Sequence, residues 1–81
     1  MEDMARATIL ELLAKAKEVM ALAEAADAAN KIHDATRLAM NANGYIEAAT
    51  AILAAHPTLH TGMIEHPDFM TARRFVRKFM G

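Results

Sequence analysis

The chain has no cysteine and no tryptophan, and reading its 81 residues through finds no serine and no glutamine either. Without cysteine, disulfides and thiolate metal sites are both excluded. Without serine or cysteine, the usual nucleophile–histidine pairs are missing, and the threonines carry no signature for that role. Three glycines and two prolines are too few for a glycine-rich phosphate loop. Neither sign of charge dominates: nine Lys and Arg stand against ten Asp and Glu. A net charge of −1 gives no general pull towards nucleic acid or an anionic membrane. No apolar run reaches the roughly 18 residues of a membrane span. Met1-Glu2-Asp3 is acidic, unlike the start of a secretory signal, so the chain is compatible with cytoplasmic expression. An enzyme is not expected.

What is present is helix-forming. The apolar fraction of 54% contains much alanine, which favours helix but buries little area per residue. Leu, Ile, Val, Met and Phe must therefore supply most of the core, in one domain spanning residues 1–81. At this size a chain buries roughly 60–65% of the surface that it exposes unfolded.

The first apolar stripe, Ala5, Ile9, Leu12, Leu13, Ala16, Val19, Met20 and Ala23, has a period of 3.6 and predicts a helix over residues 3–26. Glu2/Arg6 and Glu11/Lys15 have the spacing of supporting ion pairs. Leu10 and Leu22 lie off the stripe on opposite flanks, which implies neighbours on two sides. Beyond Ala23 the phase changes to Ala28, Ile32, Ala35, Leu38, Ala39 and Ala42. A break between Ala25 and Asn30, with Asp27 or Asn30 as the new N-cap, reconciles the registers. An uninterrupted helix is the rival reading, because no Gly or Pro intervenes.

The second helix is expected to close at Asn41-Ala42-Asn43-Gly44, with a left-handed residue as its cap. A third, Tyr45 to His56, has Tyr45, Ile46, Ala49, Ile52 and Leu53 on one side and Ala48, Ala51, Ala54 and Ala55 on the other. A helix apolar nearly all round is buried or faces a partner. Pro57 ends it, and Thr58 to Thr61 form at most a short turn before Gly62. Pro67 then opens the last helix, with His66 as cap and Asp68 in the first turn. That helix sets Phe69, Ala72, Val76, Phe79 and Met80 on one stripe, with Phe75 at its edge, and Arg73, Arg74, Arg77 and Lys78 on the other face. The expected fold is all-α: a small four-helix bundle with two short middle helices and a His/Pro-containing loop before the last one.

The alanine content, the missing serine and glutamine and the short loops resemble de novo designed helical miniproteins across the whole chain, although 23% charged residues is sparse for that class. The resemblance implies protein binding as the purpose. The residues expected to meet a protein target, or a second copy in a homodimer, are Leu59, His60, Met63, Ile64, Met70, Arg73, Arg74 and Tyr45. Apolar and methionine anchors with an arginine rim are the composition of protein interfaces.

Two alternatives belong to other classes. His56, His60 and His66 resemble the zinc-binding histidine run of metzincin proteases, and imidazoles suit a tetrahedral site with one open position. The family's catalytic glutamate would fall at Pro57, which can be no base, and the glycine comes early, at Gly62. A heme held by His33 and a loop histidine is the related possibility. The other alternative is a helical small-molecule binder with an internal cavity. Nucleic acid is not expected, since helix 4 alone is basic and the rest of the chain offsets its charge.

Overall fold

The computed structural model describes residues 2–79, with Glu2 described by its backbone alone. Helices α1 (Glu2–Ala28), α2 (Ile32–Ala55), α3 (Pro57–Met63) and α4 (Pro67–Phe79) follow one another, and there is no strand among the described residues. The protein is all-α. No helix is long and apolar enough to cross a membrane among the described residues. Met80, assigned to the last apolar stripe, and the Glu2 side chain of the Glu2/Arg6 pair lie outside what is described.

The dominant contact is between α1 and α2. Their buried seam is Ile9, Leu13, Ala16, Met20 and Ala23 on α1 and Ala35, Ala39, Ala42, Ile46, Ala49 and Leu53 on α2. Both sets step alternately by three and four residues, the spacing that keeps one face of each helix on its neighbour. Alanine at most α2 seam positions lets the two backbones approach closely. Ile9, Leu13, Leu53 and Met63 are the largest fully buried side chains. Helix α4 lies on both long helices and buries Phe69, Ala72 and Phe75. Ion pairs Lys17–Asp68 at 3.0 Å and Glu24–Lys78 at 2.9 Å tie it to α1 and fix the two helices as running in the same direction. The molecule is elongated, 43 × 18 × 17 Å.

The break after helix 1 occurs where the phase of the stripe changes, but with different chemistry from the expected N-cap. Asn30 has φ 62°, and the Lys31 and Asn30 amides donate to the Ala26 and Asp27 carbonyls. This pair of bonds closes α1 from its C-terminal end as a Schellman motif. Lys31 precedes α2 with no side-chain cap, so neither Asp27 nor Asn30 has the predicted N-cap role.

Two expected elements are corrected. The stop at Gly44 does not exist: α2 runs through it, and no glycine among the described residues has positive φ. Two short middle helices are thus one long helix, followed by a short one. The physical reason is register. The seam positions Ala39, Ala42, Ile46 and Ala49 keep their spacing across Gly44, so stopping there would uncover half of the α2 core. One interior glycine costs only about 1 kcal/mol. The segment expected as a His/Pro loop is largely α3, with Pro57 at its first turn and Gly62 inside the helix. Proline is as apt to start a helix as to end the preceding one.

Candidate functional site

A wide depression lies where α2, α3 and α4 meet. Its floor and inner walls are Ile46 and Leu53 of α2, Ile64 just beyond α3, and Phe69 and Val76 of α4. Ala51 and Ala54 form the outer α2 wall, and both are exposed. The volume is about 850 Å³, and the groove is open to solvent. The lining positions from Asn43 to Ala54 follow one face of α2, which at about 1.5 Å per residue makes a wall roughly 16 Å long.

Polar groups stand at the rim. Arg73 and Arg77 line the α4 side, Glu47 and Asn43 the α2 side, and His60 one end. The Asn43 amide donates to Glu47 Oε1 at 3.2 Å, and the Thr50 hydroxyl donates to the Ile46 carbonyl at 2.8 Å. The α2 wall therefore has its hydroxyl engaged by its own backbone. In contrast, Arg73, Arg74 and Arg77 make no ion pair among the described residues. Lys78 is the helix's engaged cation: its hydrogen bond to Glu24, with the nearby charges of Glu24 and Asp27, holds its ammonium above the ordinary lysine pKa against a smaller desolvation effect.

The residues singled out from sequence divide into four groups. His60, Ile64 and Arg73 come together in the groove. Met70 and Arg74 sit with Arg73 and Arg77 on the outer face of α4, where Met70 is 47% exposed. Leu59 is half-buried against the core, and Met63 is 2% exposed, so Met63 fills the interior and offers nothing to a partner in this conformation. Tyr45 lies elsewhere, in a depression with Leu12 and Val19. The α2 wall at Ile46, Glu47 and Ala51 and the α4 pair Val76 and Arg77 were not singled out as contacts. The one visible signal for them is the uncharged alanine face, Ala48, Ala51, Ala54 and Ala55, all exposed.

The histidines do not assemble. Among the described residues no three His, Cys, Asp or Glu side chains are grouped to hold a metal ion. His66 Nδ1 instead accepts the Asp68 amide at 3.1 Å and caps α4, while His56 is the junction residue between α2 and α3. Pro57 breaks the helical spacing that would have aligned His56 with His60. His33 and His56 stand at opposite ends of α2, roughly 35 Å apart at the helical rise, beyond the reach of one heme. The small-molecule alternative relied on an internal cavity, whereas this groove is an open surface feature.

No protein-family model, curated protein or solved structure matches this chain.

Proposed function

We propose that the chain is a non-enzymatic protein-binding module of the kind to which its composition is similar, a small helical bundle built to present a surface. The contact surface is the groove of α2, α3 and α4, with His60, Ile64 and Arg73 in it and Met70 and Arg74 beside it. The observation that carries this reading is an open depression whose half-buried Ile64 and Val76 and exposed Ala51 and Ala54 lie next to arginines that make no ion pair among the described residues. Buried apolar anchors inside a polar rim are how protein interfaces gain affinity and exclude water. A groove between two helices also suits the helix-in-groove mode of peptide recognition.

Selection of displayed peptides against the purified chain tests this. Enriched clones should lose binding to Ala54→Arg, which projects a long charged side chain into the groove, and retain it with Lys31→Ala at the far turn. Clones indifferent to Ala54→Arg, or no enrichment at all, would refute it.

A homodimer is the second reading, favoured by a different face. Leu12 and Val19 on α1 and Leu38, Tyr45 and Ile52 on α2 are half-buried at seven-residue intervals, on the side away from α4, with Leu22 57% exposed beside them. From Leu38 to Ile52 this row runs roughly 21 Å along α2 at the helical rise.

A further inference from the structure

We infer that the groove between α2 and α4 takes an amphipathic helix of about three turns from a partner protein, apolar on the side that enters and acidic along the flank that meets α4. This rests on the protein-binding reading above and adds to it the chemistry of the partner.

Three features select that occupant. The walls are themselves helices: α2 contributes Asn43, Ile46, Glu47, Thr50 and Ala54, and α4 contributes Phe69, Arg73, Val76 and Arg77. Along each row the wall is met again every three or four residues, at Asn43, Ile46/Glu47, Thr50 and Ala54 and at Phe69, Arg73 and Val76/Arg77, so side chains at the same spacing on an incoming helix meet ridges and grooves of matching pitch. The floor is apolar, which a bare polyanion would leave wet and unmatched. The rim is electrically lopsided. Arg73 and Arg77 on the α4 side have no ion pair among the described residues, and across the groove stand a carboxylate already engaged by Asn43 and a hydroxyl turned to its own backbone. A helix with acids along one flank can seat them against both guanidiniums by choosing its direction, and guanidinium is well suited to carboxylate. A second copy entering through its own α4 would instead bring its arginines against Arg73 and Arg77 of the groove, a like-charge contact that disfavours it.

The test uses three synthetic helical peptides of about twelve residues with one shared leucine and alanine stripe. They differ in a single flank, made of Glu, Gln or Lys, and binding to the full chain is read by fluorescence anisotropy. The Glu peptide should bind about tenfold tighter than the Gln peptide, the scale of two or three rim pairs, and the Lys peptide weakest. High salt should shrink the preference. In a folded Arg73→Glu/Arg77→Glu variant the order should invert. Equal binding by all three, abolished by Ala54→Arg, would overturn the acidic flank while leaving the groove as a protein-binding surface. Failure of every peptide to bind a folded chain would overturn the helical occupant itself, and displayed clones of other conformation would then decide whether the groove binds protein at all. A polyanion that displaces the Glu peptide at equal charge would overturn the apolar part of the recognition. Dimerisation abolished by Ala54→Arg would overturn the foreign partner in favour of a second copy.

Discussion

Asn30 and Gly44 show how differently two turn-forming residues are used. Asn30 occupies the left-handed region, where its short polar side chain is tolerated better than most, and the Lys31 and Asn30 amides bond back to α1. Asn30→Ala should therefore lower stability by about 1 kcal/mol, and Asn30→Gly should not. Gly44 is the opposite case. It sits in mid-helix with ordinary helical backbone, is exposed, and a Cβ built there meets nothing within 4 Å. Gly44→Ala should raise stability by about 1 kcal/mol through helix propensity and a less flexible unfolded chain. Urea unfolding followed by circular dichroism measures both. A loss of stability for Gly44→Ala would mean that the glycine is required for a bend or an approach that the structure does not contain.

Among the elements, α3 is the least self-sufficient: seven residues are too few for a stable isolated helix. It is held by Met63, 2% exposed, which inserts into the core where the long hairpin and α4 converge. Met63→Ala should cost about 3 kcal/mol, within the range for removing a buried side chain of this size. Because α3 sets the end of the groove, amide hydrogen exchange in residues 57–66 should accelerate more than in α1 of the same variant. Uniform acceleration would show that α3 does not open separately. Helix α4 is fastened differently, by Phe69 and Phe75 inside, by Phe79 against Phe75 at 4.6 Å between ring centroids, and by two exposed ion pairs at its ends. Those pairs add little individually, but they orient the helix so that Arg73 and Arg77 turn towards the groove. Which of four neighbouring cations would face α2 is not written in α4 alone, since Arg73, Arg74, Arg77 and Lys78 share a polar side and only docking divides them.

At the scale of the whole molecule, two faces with apolar surface each make a separate prediction, while Met4, Ile32 and Met40 are exposed outside both. If the face with Leu12, Val19 and Tyr45 mediates self-association, sedimentation equilibrium should show a monomer–dimer equilibrium that Leu22→Glu weakens and Ala54→Arg leaves alone. A monomer at high micromolar concentration would remove the homodimer and leave the groove as the working surface. The two substitutions lie on different faces of the hairpin, so their effects should be independent.

The sequence alone determined the helical class, the α1 stripe, the change of phase before Asn30 and the start of α4 at His66-Pro67-Asp68. Each of these depends on neighbours within a turn or two, where spacing, fixed proline geometry and capping groups act locally. Gly44 shows the limit of such reasoning: locally it reads as a stop, and what overrides the stop is the seam spacing from Ala35 to Leu53, which has meaning only once α1 is its counterpart. Tertiary structure also decided that Met63 is interior, that the histidines stay apart and that the exposed alanines of α2 stand opposite Arg73 and Arg77. Those outcomes depend on how a 13-residue helix settles across a long hairpin, and the free energy of that docking comes from burying Phe69, Ala72 and Phe75 together, not from any one segment.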